Sequence, residues 1–207
     1  MSISQEMINY LNNPCKSLSI PYWKHKSIKI PRNIEIIHMD NFCNQHEKYQ
    51  RYFRICHRLM DVKEVCNTVC LINLKCDKEA LIKMMNECYT YENISIHESD
   101  VDDWIKHPTF NELLWVKIVK NNMIVASGIA EYDVELKEGI IEWVQVLPAY
   151  RNKGYGTDIV NYLLKQLKEL GASFVTVSGS LENKTNPERL YRKCGFIGDD
   201  VWYICKK

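Results

Sequence analysis

The chain has 207 residues, 46% of them hydrophobic and 26% charged, with a formal net charge of +1. That length and balance predict a folded globular protein with a sizeable core, and exclude a disordered, collagen-like or repetitive chain. No stretch is apolar enough to span a bilayer and the first residues show no signal-peptide pattern, so no membrane partner and a cytoplasmic location are expected.

Charge and cysteine usage narrow the classes further. The first 75 residues carry 11 basic and 6 acidic side chains, the remaining 132 carry 16 and 20, too slight an asymmetry to predict a nucleic-acid partner. Tyr22-Trp23-Lys24-His25-Lys26 and Arg51-Tyr52-Phe53-Arg54 interleave aromatics with cations, as single-strand binders do. They read instead as amphipathic packing with solvated charged tips. Nine cysteines, with no Cys-x-x-Cys pair, fit reduced structural thiols. Cys43, His46, Cys56, His57, Cys66 and Cys70 could surround a zinc ion, but their spacings match no zinc module, so no metal is expected.

Taken in chain order, the elements begin with an extended segment punctuated by Pro14, Pro21 and Pro31, then a strand over 33–39. Residues 49–60 read as a helix and 70–74 as a short strand. Asp77 is the expected cap of a helix carrying Leu81, Met84, Met85 and Cys88. Ser99 and Asp102 mark a second helix start ahead of Val101, Trp104 and Ile105. Strands follow over 113–119 and 123–132, joined by Lys120-Asn121-Asn122, whose asparagines tolerate positive φ. A turn over 136–139 leads to a strand over 140–147, stopped by Pro148. The helix over 157–170 places Val160, Leu163, Leu164, Leu167 and Leu170 on one face, with Asp158, Lys165, Lys168 and Glu169 elsewhere, and Gly171 at its C-cap. A strand over 173–177, a helix opened by Asn186-Pro187 and carrying Leu190, Tyr191 and Cys194, and a strand over 200–205 complete an α+β layered fold.

The junction Arg151-Asn152-Lys153-Gly154-Tyr155-Gly156-Thr157 carries the most chemistry. A glycine turn that opens a helix leaves backbone N–H groups unpaired at the positive end of the helix dipole, a ready site for a phosphate or pyrophosphate. Nothing matches a Walker P-loop, and Ile159 stands where a dinucleotide fingerprint needs its third glycine.

Arg151-x-x-Gly154-x-Gly156 does fit the Arg/Gln-x-x-Gly-x-Gly/Ala pattern of the GNAT family of N-acetyltransferases, and the run from Val144 to Thr157 resembles that family's strand-to-helix segment. Downstream, Leu190-Tyr191-Arg192-Lys193-Cys194-Gly195-Phe196 resembles its Leu-Tyr-x-Lys-x-Gly-Phe signature. The resemblance covers about residues 70–207. It implies a mixed, mostly antiparallel central sheet flanked by helices, with residues 1–70 as an N-terminal extension of unknown role packed on an acetyltransferase domain over 71–207.

The resemblance also implies acetyl-CoA as cosubstrate and a small-molecule or peptide amine as acceptor, with a homodimer as a possible assembly. Backbone N–H groups from Arg151, Asn152, Lys153, Gly154, Tyr155 and Gly156, with the Thr157 hydroxyl, would hold the pyrophosphate. The backbone of Val144, Gln145 and Val146 would pair with the pantetheine arm and polarise the thioester carbonyl. Tyr191 is the expected general acid, and Glu142, sharing a strand face with Val144 and Val146, the candidate base. Asn183 and Asn186 are both candidate contacts to the pantetheine arm, although Asn186 has an alternative use as a helix cap. Cys194 could carry an acyl group but reads as a core residue. Glu131, Asp133, Glu135, Glu138 and Glu142 would favour a cationic acceptor if they faced its cleft, yet they read as a solvated hairpin tip; Trp115 and Trp143 read as core. The rival reading from another class is a non-catalytic acyl-CoA-binding regulatory module.

Overall fold

The computed structural model describes residues 4–43, 47–90 and 94–207. They fall into two compact units, a continuous one over Leu59–Val175 and a split one made of Met1–Arg58 with Thr176–Lys207.

The continuous unit holds β3 (Cys70–Leu71), α4 (Leu74–Cys88), α5 (Glu98–Trp104), β4 (Trp115–Lys120), β5 (Met123–Asp133), β6 (Glu138–Val146) and α6 (Tyr155–Glu169). Strands β3, β4, β5 and β6 are neighbours in that order, each pair antiparallel. Asn121 and Asn122 both take positive φ in the β4–β5 turn, as expected. Directly opposite residues share a face, so Val116, Gly128 and Val144 form one row and Trp115, Ile129 and Trp143 the next, on the other side. A Cβ on Gly128 would strike Ile159 and Leu163 of α6, which puts α6 on the first face. The second is covered by α4 and α5 through Leu81, Met84, Met85, Cys88 and Val101. Fully buried Ile159, Val160, Leu163, Leu164 and Leu167 line α6, and Gly171 terminates it at φ 93°.

The split unit contains α1 (Gln5–Asn12), α2 (Pro14–Ser17), α3 (Tyr22–Ser27), β1 (Ile34–His38), β2 (Tyr49–His57), α7 (Pro187–Lys193) and β8 (Ile197–Lys206). The strand β7 (Phe174–Ser180) brings the chain into it. Strand order is β1, β8, β2, β7, with β8 antiparallel to both β1 and β2. The α+β, mostly antiparallel architecture expected from the sequence is the one observed.

Several local expectations are corrected. The extended N-terminal segment is three short helices: Pro14 sits in the first turn of α2 and Pro21 at the N-cap of α3, where a fixed φ and a missing N–H cost nothing. The helix expected over 49–60 is strand β2. As an interior strand between β8 and β7 it is buried continuously from Phe53 to His57, so it lacks the alternation that marks a half-buried strand. Arg54, read as a solvated tip, is 1% exposed. It donates to Pro14 O at 3.2 Å, Tyr10 OH at 2.8 Å, Ser178 Oγ at 3.1 Å and Thr176 Oγ1 at 3.3 Å, so it ties α1 and α2 to β2 and β7. The strand expected over 70–74 stops at Leu71, because α4 starts at Leu74 with Asn73 as its cap. Asp77 instead completes the reciprocal arm, accepting from Asn73 N at 2.7 Å. His97 caps α5, with Asp100 returning the bond at 2.7 Å.

Candidate functional site

Strand β6 is not regular. Ile129 lies opposite Trp143 and Ala130 opposite Ile141, so Glu142 is an extra residue, a β-bulge. The alternation that would align Glu142 with Val144 and Val146 is broken between Ile141 and Trp143. Glu142, Val144 and Val146 are half-buried. Gln145 is buried and donates to Ser127 Oγ at 2.6 Å.

A short 3-10 turn, Pro148–Tyr150, follows β6, then the glycine loop. Arg151 folds back and donates from Nε to Val146 O at 3.1 Å, tying the loop to the strand end. Its guanidinium also lies against Cys88 at the α4 C-terminus. Burial pushes the Cys88 thiol up to about 11, with Arg151 pulling in the opposite direction. Asn152 (φ 61°) and Gly154 (φ 87°) are both left-handed. Gly154 is exposed, and a Cβ there would meet nothing within 4 Å. Backbone conformation, not space, therefore demands glycine at this position. As N-cap of α6 it brings no side chain, and no side-chain cap bond is made. The dipole end of a 15-residue helix thus opens to solvent, and an anion fits it.

Basic side chains gather at that opening. Lys153 Nζ lies 5.0 Å from the Tyr150 ring centroid, and Lys120 Nζ lies 5.7 Å from that of Tyr155. The sequence reading missed Lys120. It reaches the loop from the far end of β4, and no local pattern signals that approach. Asp158, expected on an exposed face, is 4% exposed. It accepts from Cys66 N at 3.0 Å, Asn67 N at 3.2 Å and Asn67 Nδ2 at 2.6 Å, pinning the preceding segment onto the first turn of α6.

Tyr191, Cys194, Asn183 and Asn186 lie in the split unit. Tyr191 on α7 is buried, its ring 6.2 Å from Phe53 and 5.6 Å from Phe196 between centroids. Cys194 is fully buried, as a core residue would be. The Asn183 carboxamide accepts from Thr185 N at 2.8 Å and Thr185 Oγ1 at 2.7 Å. Asn186 occupies the α7 N-cap with φ 49°, but its side chain makes no cap bond, so the capping role expected for it is not filled. Of the hairpin acids, Glu135 is solvated at the tip as expected and Glu142 is half-buried, but Glu131, Asp133 and Glu138 are buried, and Asp133 accepts from Glu135 N and Leu136 N within the turn. Of the zinc candidates, His46 lies outside the described residues. Among the described residues no group of three or more His, Cys, Asp or Glu side chains could hold a metal ion, and none of their helices is long and apolar enough to cross a membrane.

Comparison with known proteins places this geometry. The curated ribosomal protein bS18-alanine N-acetyltransferase of Haemophilus influenzae is 29% identical over 97 residues, which span 47% of this chain and 64% of the relative. The chain therefore covers less than two thirds of that relative's length. A GCN5-related N-acetyltransferase from Sphaerobacter thermophilus superposes with a TM-score of 0.66 at 16% identity, over 78% of this chain and 52% of the other. The ribosomal-protein-S18-alanine N-acetyltransferase of Escherichia coli gives 0.54 at 16% identity, over 67% of this chain and 92% of the other. At such identities the structural likeness speaks for the fold alone. A profile of the acetyltransferase (GNAT) family matches residues 78–196, from α4 through the glycine loop to the end of the Tyr191 signature. Matched over more than half its length, this chain belongs to the acetyltransferase (GNAT) family.

Proposed function

We propose that the protein transfers an acetyl group from acetyl-CoA to a primary amine by direct attack. The observation that carries this reading is the uncapped α6 N-terminus, with left-handed Gly154 at its mouth and Lys153 and Lys120 beside it. Backbone N–H groups of residues 151–156 and the Thr157 hydroxyl would hold the pyrophosphate, and Val144, Gln145 and Val146 would offer backbone to the pantetheine arm. The bond from Arg151 to Val146 O supports a fixed relation between the two. Asn186, whose side chain is not spent on capping, is a better pantetheine contact than Asn183.

Acetyl-CoA supplies an activated thioester. The chain must then accept a proton from the ammonium of the acceptor and give one to the departing thiolate. Glu142 at the bulge is assigned the first task and Tyr191 the second. The acceptor is an amine on a small molecule or a peptide; the Haemophilus influenzae relative is named for a ribosomal-protein alanine. Nine free thiols suit a reducing, cytoplasmic setting.

Acetyl-CoA should raise the melting temperature, since a ligand at about 100 times its Kd adds roughly 2.7 kcal/mol to the folded state. A flat response at millimolar acetyl-CoA refutes the reading. With an amine that supports thiol release, Tyr191→Phe should cut kcat by about 10²-fold or more and leave the acetyl-CoA shift intact. An unchanged kcat removes Tyr191 from the chemistry.

A further inference from the structure

Residues 7–34 carry Lys16, Lys24, Lys26, Lys29 and Arg32 and no acidic side chain. From Lys26 to Asn33 every residue is exposed, and the chain then becomes β1. Ile28 and Ile30, 50% and 45% exposed, stand among the cations of that run. Strand pairing brings three more cations to the same end of the split unit's sheet. Ile34 lies opposite Lys206, Lys207 N donates to Asn33 O at 3.0 Å, and Lys206 N donates to Lys48 O at 3.4 Å. Lys207 reaches Glu35 at 3.9 Å. Among the described residues Lys29, Arg32, Lys48 and Lys206 enter no ion pair, and all four are exposed.

Strand β1 also ends the strand order of its unit and is paired on one side alone, by β8. In an antiparallel ladder, alternate residues turn their N–H and C=O toward the partner. The bond from Lys207 to Asn33 sets the phase, so Glu35 and Ile37 bond β8 while Ile34, Ile36 and His38 turn outward. Ile34 N donates to Pro31 O at 2.9 Å. The Ile34 carbonyl and both backbone groups of Ile36 face out, with no strand beside them among the described residues. Edges are ordinarily blunted by shortness, proline, a bulge or charge. Strand β3, last in the continuous unit's order, is only two residues long. Strand β1 has five residues, three of them isoleucine, with no proline and no break in register.

We infer that β1 takes up an extended acidic peptide as a further strand, a binding function for the N-terminal extension that does not depend on the acetyl-transfer reading. Antiparallel pairing, the commoner kind, directs the C-terminal end of the peptide toward Arg32 and Lys29. The segment that fits is a short β-branched or apolar run followed by Asp and Glu. Its N–H groups answer the outward carbonyls of Ile34 and Ile36, its own carbonyl answers Ile36 N, and its carboxylates meet the cations. A phosphate polyanion, in RNA or on a lipid surface, fits less well. Phosphate oxygens accept hydrogen bonds and do not donate them, which leaves the outward carbonyls unanswered.

Fluorescence anisotropy of a dye-labelled peptide, Val-Thr-Val-Thr-Val-Asp-Glu-Asp, titrated with the full chain, tests the inference. It should bind at least about tenfold more tightly than the same peptide ending in Lys-Lys-Lys, and Lys29→Glu combined with Arg32→Glu should remove that preference. Ile36→Pro should weaken binding at least about tenfold in a chain that still folds, because the N–H it deletes does not bond β8. Should that variant fail to fold, N-methylation of the peptide takes its place. Methyl groups on one alternate set of strand residues should abolish binding, and on the other set should leave it intact. Equal affinity for the two tails overturns the proposal, as does binding indifferent to Ile36→Pro or to both methylation patterns. So does tripeptide Asp-Glu-Asp binding as tightly as the full peptide, since charge alone then suffices. Oligouridylate or phosphatidylserine vesicles that bind more tightly than the acidic peptide, and whose binding Ile36→Pro spares, would assign the surface to a phosphate polyanion and overturn strand addition.

Discussion

Gly179 on β7 provides a stringent check on the packing around Tyr191. A Cβ at that position would sit 2.6 Å from Cζ and 2.8 Å from Cε1 of Phe53, where carbon pairs prefer about 3.5–4.0 Å. Gly179→Ala therefore forces a displacement of roughly 1 Å. Phe53 is 1% exposed and wedged against Tyr191, so its rigid ring has no room to swing. Overpacking of this kind costs about 1–3 kcal/mol. The same substitution lowers unfolded-chain entropy and returns about 0.4–1 kcal/mol, because Gly179 does not take a positive φ and alanine fits its backbone. The net expectation is destabilisation by about 1–2 kcal/mol. Urea denaturation of Gly179→Ala, Phe53→Leu and the double variant measures it. The pair should be non-additive by about 1 kcal/mol or more, since leucine withdraws the ring tip that the new methyl strikes. A Gly179→Ala chain as stable as the wild type, or single effects that simply add, would refute the packing account.

Two other perturbations test the continuous unit. Burial alone would raise the Asp77 carboxyl, but Lys117 and the Asn73 N–H outweigh it and hold it below the ordinary range. A lowered folded value gives stability that is present above the unfolded value of about 3.9 and lost as pH falls through the folded one. Asp77→Asn should therefore cost about 1–2 kcal/mol at pH 7, and its urea midpoint should approach that of the wild type as acid protonates Asp77 in the folded state; a gap that does not narrow in acid contradicts the ion-pair account. Asp158→Asn places an amide donor against the N–H groups of Cys66 and Asn67, at a cost of about 1–3 kcal/mol. Hydrogen exchange should speed at those two amides and stay unchanged in the second half of α6. Unaltered exchange at Cys66 and Asn67 would show that Asp158 does not hold that segment.

What the sequence could convey depended on whether the signal was local. The loop over 151–157 was legible because a left-handed glycine before an amphipathic helix is written in adjacent residues. The β4–β5 turn, the α6 core face and the burial of Cys194 were legible for the same reason. Residues 49–57 misled because an interior strand loses its period-two pattern, and aromatic and aliphatic residues then fall by chance at helical spacing. Arg54 and Asp158 looked like surface charges because their partners, Pro14 and Ser178 for one and Asn67 for the other, come from distant chain. The bulge at Glu142 has no signature of its own; it follows from how β6 meets β5. The hairpin acids followed the same logic. Their number was plain in the sequence, but the surroundings of Glu131 include the segment around His107 and Thr109, some twenty residues away.

The order of synthesis gives the placement of β8 a further meaning. Strands β1 and β2 are complete once His57 is made, yet the strand that joins them begins only at Ile197. About 140 residues separate the two, roughly 7–30 s of translation at ordinary rates. The continuous unit, in which β3, β4, β5 and β6 pair with one another in turn, can begin to assemble during that interval. Strands β1 and β2 meanwhile keep open edges, the form in which strands recruit the wrong partners. For those seconds the nascent chain is an unfinished sheet whose joining strand, ten residues long, has still to be made.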